Sequence, residues 1–326
     1  MRAVVTTATG DADVLDVADV PEPTPSEHEV LIRVAAAGVN RADVLQRMGF
    51  YPPPPGASAI LGLEVSGDVI ATGSAVTRWK PGDRVMALLE GGGYAEVVAV
   101  AETQVMPVGR LLILDAGGVP EVFITAHDSL FTRARLRPGE TVLIHGGAGG
   151  VGTAAIQLAK RHGCRVAVTA GSESRLERCS ELGAEILIDH RTDDFVEVVR
   201  AATEGHGADV VLDVMGGSYL QRNVDVLATD ARLIVIGMQG GTYSDIDLAA
   251  LSRRRATIVA PHLRGRPREQ KAGIVAAFSS DALPALAQGS IRPVVGAVFP
   301  LARVADAHRA MESQTVVGKI LLDVAA

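Results

Sequence analysis

Aromatic residues make up only 3% of this 326-residue chain, so aliphatic side chains must carry the core. The two cysteines, Cys164 and Cys179, are too few for a disulfide framework or a four-thiolate zinc site. Each falls in a strand or helix pattern and reads as a buried thiol. None of the eight histidines stands in a spaced cluster with cysteines or carboxylates, and no metal site is expected. The 31 basic residues are outnumbered by 38 acidic ones, for a net charge of −7, which recommends neither nucleic acid nor an anionic membrane as partner. No run of about 18 apolar residues suggests a membrane span. Met1 to Ala8 lacks the apolar stretch of a signal peptide, so the expectation is a cytoplasmic chain.

Glycine is abundant, and five of the 35 fall between Gly146 and Gly152. They follow a β-rich run, Thr141 to His145, and precede a segment with helical apolar spacing at Ile156, Leu158 and Ala159. Gly147, Gly149 and Gly152 keep the G-x-G-x-x-G register, in which glycine permits a sharp turn, close approach of a pyrophosphate and tight contact of helix on strand. The helix starting near Gly150 would aim its unpaired N–H groups at the phosphates. The other reading of the run is a glycine-rich turn without a ligand.

At this length about two domains are expected. The first third is β-rich, with strand candidates Val30 to Val34, Ser66 to Thr72, Arg84 to Leu88 and Ala95 to Val100 separated by turn residues. From about Ile124 the rhythm becomes strand and helix alternation. Helix Ala126 to Ala134 leads to strand Thr141 to His145, helix Gly150 to His162, strand Arg165 to Ala170 and helix Ser174 to Leu182. Strand Ile186 to Asp189, helix Asp194 to Thr203, strand Val210 to Val214, helix Tyr219 to Leu227, strand Arg232 to Ile236 and a last strand Thr257 to Pro261 follow. Such alternation predicts an α/β fold with a doubly wound parallel sheet. Glu269 to Ala326 is too short for a domain and is expected to complete the N-terminal unit, closing with strand Lys319 to Val324. The expected domains are therefore 1–122 with 265–326, and 123–264, with a ligand-binding cleft between them.

The strand after the glycine helix ends Thr169-Ala170-Gly171-Ser172, without the carboxylate that holds the ribose 2′-OH of NAD. Ser172, Ser174 and Arg175 suit a 2′-phosphate instead, which favours NADPH. Ser172 equally suits the N-cap of the following helix, and Glu173 offers a carboxylate that could reach a ribose.

Taken in order and spacing, Gly38-Val39-Asn40-Arg41-Ala42-Asp43, Tyr51-Pro52-Pro53-Pro54-Pro55-Gly56, Leu61-Gly62-Leu63-Glu64, Gly82-Asp83-Arg84-Val85, the Gly146 to Gly152 loop, Ala170-Gly171-Ser172, Met215-Gly216-Gly217 and Gly318-Lys319 resemble the zinc-free quinone oxidoreductase branch of the medium-chain dehydrogenase/reductase superfamily, the zeta-crystallin-like group. The resemblance spans nearly the whole length. It implies a Rossmann coenzyme domain inserted in a GroES-like catalytic domain, NADPH as hydride donor, and a dimer or tetramer joined through edge strand 257–261. Zinc relatives carry Cys where Asn40 lies and His where Leu63 lies.

By the same resemblance Asn40, Asp43 and Tyr51 line the substrate pocket, and Thr125 bonds the nicotinamide or its ribose. Gly147, Ala148, Gly149, Gly150, Val151 and Gly152 form the diphosphate loop. Gly171, Ser172 and Arg175 meet the 2′-phosphate, His190 the adenine, and Gly237, Met238 and Lys319 complete the coenzyme contacts. The branch commonly has Lys where Arg175 stands and Tyr where His190 stands. Read without the family, Asn40 suits a turn, Asp43 a helix cap, and the adjacent His127 and Asp128 packing or capping. The activity implied is hydride transfer to a quinone, with Tyr51 and Asn40 donating hydrogen bonds to its oxygen. An alkenal or enoyl reductase and a non-catalytic NADPH-binding or redox-sensing protein are the alternatives.

Overall fold

The computed structural model describes all 326 residues, Met1–Ala326. The chain divides into a first unit, Met1–Ile124 with Leu263–Ala326, and a second unit, Thr125–His262. No helix is long and apolar enough to cross a membrane.

In the first unit seven strands precede the break: β1 (Arg2–Thr6), β2 (Leu15–Asp19), β3 (Glu29–Val39), β4 (Glu64–Thr72), β5 (Arg84–Leu88), β6 (Val97–Ala101) and β7 (Val105–Pro107). The second unit contributes β8 (Thr141–His145), β9 (Arg165–Ala170), β10 (Ile186–Asp189), β11 (Ala208–Asp213), β12 (Leu227–Val235) and β13 (Thr257–Val259). The first unit resumes with β14 (Val295–Pro300) and β15 (Lys319–Asp323).

The organising strand of the first unit is β3. Its first half pairs antiparallel with β6 and its second half with β15, while β4 runs along its other edge. The main sheet has the order β14-β15-β3-β4-β5-β7, so the C-terminal residues close against the N-terminal ones. The sequence pattern reads β3 only as Val30 to Val34, because Ala35-Ala36-Ala37-Gly38 are weak strand formers. Partners on both edges hold those residues extended to Val39, and Ala36, Ala37 and Val39 are fully buried. Aliphatic residues dominate this core, among them Val30, Ile32, Val65, Val85, Ile320 and Leu322, with Tyr94 its one fully buried aromatic residue.

The second unit is a six-stranded sheet of order β10-β9-β8-β11-β12-β13, parallel throughout. In the unit's own strand sequence that is 3-2-1-4-5-6, the doubly wound order in which the progression of strands across the sheet reverses between β8 and β11. Every residue of β8 is buried, as expected of a central strand covered on both faces. A single continuous helix over Ala126 to Ala134 is not what forms. A helix runs from Pro120 to His127 and passes into a π-helical turn, Asp128–Arg133. Pro120 explains the earlier start, since its fixed φ and missing N–H are accommodated at the first helical position.

Candidate active site

Two constellations stand out, one in each unit. In the second unit β8 ends at His145, the chain turns sharply at Gly146 (φ +69°), and the helix Gly150–Arg161 begins from Gly149. A Cβ on Gly152 would lie 2.3 Å from the Gly146 carbonyl oxygen, so the third glycine of the motif lets the helix rest directly on the loop backbone. Around Gly149 a Cβ would meet nothing closer than 3.4 Å. That glycine therefore keeps a surface clear rather than avoiding a clash within the protein. No side chain caps the helix, and its first-turn N–H groups at Gly150, Val151 and Gly152 have no intrahelical acceptor. With Ala148 buried beneath it, the loop is a cradle shaped for a diphosphate.

At the tips of β9 and β10 Arg175, expected at the 2′-phosphate, and His190, expected at the adenine, come together beside Gly171. A Cβ on Gly171 would lie 3.0 Å from His190 Nε2 and 3.8 Å from Arg175 Nη1, so an imidazole and a guanidinium meet over one bare backbone position. The Ser172 hydroxyl does not cap the helix that it precedes; it lies 3.2 Å from the Ser174 hydroxyl. Glu173 is exposed in the first turn. Gly237 and exposed Met238 follow β12, with Gly237 close against Val214 after β11. Thr125 is partly exposed in the last turn of Pro120–His127.

His145 sits beneath the glycine loop with Nε2 2.8 Å from Asn223 Oδ1 and Nδ1 3.1 Å from the Thr169 hydroxyl. Burial pushes its pKa down to about 4, so the ring is neutral and rigidly held. Cys164 and Cys179 are buried and free, with thiols pushed up to about 11 and about 12 by burial.

The constellation in the first unit centres on Asn40, at the junction of β3 and the helix Arg41–Arg47. Lys319 Nζ donates to Asn40 Oδ1 (2.8 Å) and to the Val39 carbonyl (2.9 Å), and pairs with Glu64 Oε1 at 2.7 Å. Asn40 Nδ2 donates to Glu64 Oε1 (3.0 Å) and to the Gly38 carbonyl (3.3 Å). The side chain of Glu64 lies where a Cβ on Gly38 would be, so only glycine at that position admits it. Asp43 is fully buried, accepting from the Asn40 N–H (2.8 Å), the Gly62 N–H (3.0 Å) and the Tyr94 hydroxyl (3.1 Å). Burial raises its pKa to about 6 against those donors and the charge of Lys319. The Tyr94 hydroxyl also lies 3.3 Å from His308 Nε2, and His308 Nδ1 is 3.3 Å from Arg47, which pairs with Glu312 at 2.6 Å.

Tyr51 has the Arg264 guanidinium 5.3 Å from the centre of its ring. Arg264 is buried and held by the Glu90 carbonyl (2.8 Å) and Gln46 Oε1 (2.7 Å). Burial and the charge of Glu121 push the Tyr51 hydroxyl up to about 12, so it keeps its proton. Glu121 opens the helix Pro120–His127 and donates its backbone N–H to Glu64 Oε2 at 2.9 Å. Its carboxyl is pushed up to about 8, by burial first and then by Glu64 and Asp43, against Lys319 and Arg264.

Three of the expected site residues are engaged within the protein. Both amide hydrogens of Asn40 are directed to Glu64 and Gly38. Asp43 has its oxygens held by Asn40, Gly62 and Tyr94 and closes the turn before Arg41–Arg47. Lys319 is 2% exposed and bound to Asn40, Glu64 and Val39. Sequence reading missed Glu64 as a partner of Asn40, together with Tyr94, Glu121 and Arg264. The only signal for any of them was Glu64 within Leu61-Gly62-Leu63-Glu64.

No group of three His, Cys, Asp or Glu side chains is arranged to hold a metal ion. A cavity of about 320 Å³ in the first unit is lined by Ser58, Gly91, Val98, Gln104 and Arg268, and includes neither Asn40, Tyr51 nor Glu121.

Residues 26–110 match the family model of the alcohol dehydrogenase GroES-like domain, and residues 150–280 that of the zinc-binding dehydrogenase. The chain is 32% identical over 331 residues to the quinone oxidoreductase of Rattus norvegicus, covering 99% of this chain and 97% of that protein. Among solved structures, the Escherichia coli quinone oxidoreductase complexed with NADPH superposes with a TM-score of 0.89 at 26% identity, over 99% of this chain and 100% of that one. The CurK enoyl reductase superposes with a TM-score of 0.87 at 29% identity, over 99% and 98%.

Proposed function

Because this chain belongs to the quinone oxidoreductase branch of the medium-chain dehydrogenase/reductase superfamily, we propose that it is a zinc-independent NADPH:quinone oxidoreductase. The observation that carries the reading is the charge at the tip of β9: Arg175, His190, Ser172 and Ser174 surround Gly171 where an NAD site would present a carboxylate. The coenzyme is NADPH, with its diphosphate on the loop 147–152 and its 2′-phosphate at Arg175 and Ser172. When bound, it supplies the hydride.

The residues of this chain supply position and charge. The Gly150–Arg161 helix start neutralises the diphosphate, and Thr125, Gly237 and Met238 border the nicotinamide half. Asn40 and Lys319 hold Glu64 rigid, and the Tyr51 hydroxyl, protonated at any physiological pH, donates to the substrate oxygen as that oxygen gains charge. A homodimer joined through β13, the exposed edge of the six-stranded sheet, accompanies this reading.

NADPH oxidation measured with a panel of quinones and 2-alkenals tests it. Reduction of 1,2-naphthoquinone faster than of any alkenal is the expected result, and NADPH binding without turnover of any quinone would sink the proposal. Preference for alkenals would instead favour the enoyl reductase reading, which the similarity to the CurK enoyl reductase supports.

A further inference from the structure

Reduction of a quinone to a hydroquinone needs a proton with the hydride, and the polar cluster of the first unit contains one partly exposed carboxyl that the protein leaves uncommitted. The two buried carboxylates are spent. Glu64 is held by Lys319, Asn40 and the Glu121 N–H. Asp43 is held by Asn40, Gly62 and Tyr94. Glu121 differs from both: its backbone is pinned to Glu64, its side chain is partly exposed, and its carboxyl takes no hydrogen bond or ion pair from the protein.

The cations around Glu121 are already engaged. Lys319 is bound to Glu64, Asn40 and Val39, and Arg264 to Glu90, Tyr51 and Gln46. Lys319 and Arg264, with Lys271 that is paired to Glu90, still favour the carboxylate, whereas Glu64 and Asp43 repel it. Burial and that repulsion keep the group protonated up to a pH of about 8. Among the acid groups that interact here, only Glu121 and Tyr51 are partly exposed, and Tyr51 releases its proton only near pH 12.

We propose that Glu121 is the proton donor of this site, giving its carboxyl proton to the quinone oxygen as hydride reaches the ring. This rests on the quinone reading above. In the step, hydride from NADPH brings one hydrogen and two electrons to the quinone. The O–H bond of Glu121 breaks with its electron pair left on the carboxylate, and the proton forms an O–H bond of the hydroquinone. Solvent water then returns a proton to Glu121, so the sum is quinone, NADPH and one proton giving hydroquinone and NADP⁺.

Two measurements on Glu121→Gln test this, one of them without coenzyme. Infrared difference spectra of the coenzyme-free protein between pH 6.5 and 9.5 are expected to show loss of a protonated carboxyl C=O band in the native chain and no such loss in the variant. With NADPH and 1,2-naphthoquinone, native kcat is expected to fall as pH rises through about 8. In Glu121→Gln it is about 10- to 100-fold lower at pH 7 and flat with pH, while Glu121→Asp recovers part of the rate. An unchanged NADPH dissociation constant establishes that the variants fold. A native carboxyl band that persists in Glu121→Gln, or native kcat and pH profile in that variant, overturns the role of Glu121 alone. No quinone reduction by the native chain overturns the quinone reading and this role together.

Discussion

Lys319, near the C-terminus, places its Nζ 2.8 Å from Asn40 Oδ1 and 2.7 Å from Glu64 Oε1, joining β15 to the ends of β3 and β4 through one buried charge. Removing that charge leaves Glu64 buried with only the neutral donors Asn40 and Glu121 N–H. An unpaired buried carboxylate costs about 3–5 kcal/mol. Lys319→Met should therefore lower unfolding stability by about that amount in urea denaturation, and weaken NADPH binding far less. A loss of NADPH affinity without loss of stability would return Lys319 to the coenzyme.

Much of the second unit was legible because its signals are local. Thr141–His145 and Arg165–Ala170 form at the residues their apolar runs indicate, as strands buried on both faces do, and the edge strand Ile186–Asp189 forms as expected with Leu187 on its open face. The cluster around Asn40 was not legible for the opposite reason. Glu64, Glu121, Arg264 and Lys319 come from four separated stretches, and only the pairing of β15 and β4 with β3 brings them together. The pattern drew attention to Asn40 and Asp43, yet it could not say that their polar atoms are turned inward.

Arg175 has no ion-pair partner within the protein and lies beside Gly171 and His190. A charge-assisted hydrogen bond is worth about 1.5–3 kcal/mol, which is about 10- to 100-fold in affinity. Arg175→Ala should weaken NADPH by that factor in a fluorescence titration and leave NADH unchanged. Equal loss for both coenzymes would place the 2′-phosphate elsewhere.

Gly149 and Gly152 should respond differently to the same substitution. At Gly152 the new methyl would lie 2.3 Å from the Gly146 carbonyl oxygen, and rigid backbone must move. Gly152→Ala should cost about 1–3 kcal/mol of stability and abolish NADPH binding. At Gly149, with φ −80° and no atom within 3.4 Å, alanine fits the protein. Gly149→Ala should keep native stability while losing NADPH affinity, because the methyl fills the space left clear for the diphosphate.

His308 lies between Arg47 and Tyr94, and burial with the charge of Arg47 pushes its pKa down to about 3 from an ordinary 6.5. The unfolded chain therefore binds one more proton at this residue between about pH 6.5 and pH 3. Where the unfolded state binds more protons, stability falls as pH falls, by up to about 1.4 kcal/mol per pH unit for one group. The raised carboxyls of Asp43 and Asp213 act in the opposite direction over part of that range, so total stability does not isolate the histidine. Comparison with His308→Gln does, because the carboxyls are common to both chains. Urea denaturation should find the variant most destabilised at pH 7, with the gap to the native chain narrowing steadily toward pH 4.5. A gap constant with pH would mean that His308 titrates alike in the folded and unfolded chain, and that burial beside Arg47 does not disfavour its charge.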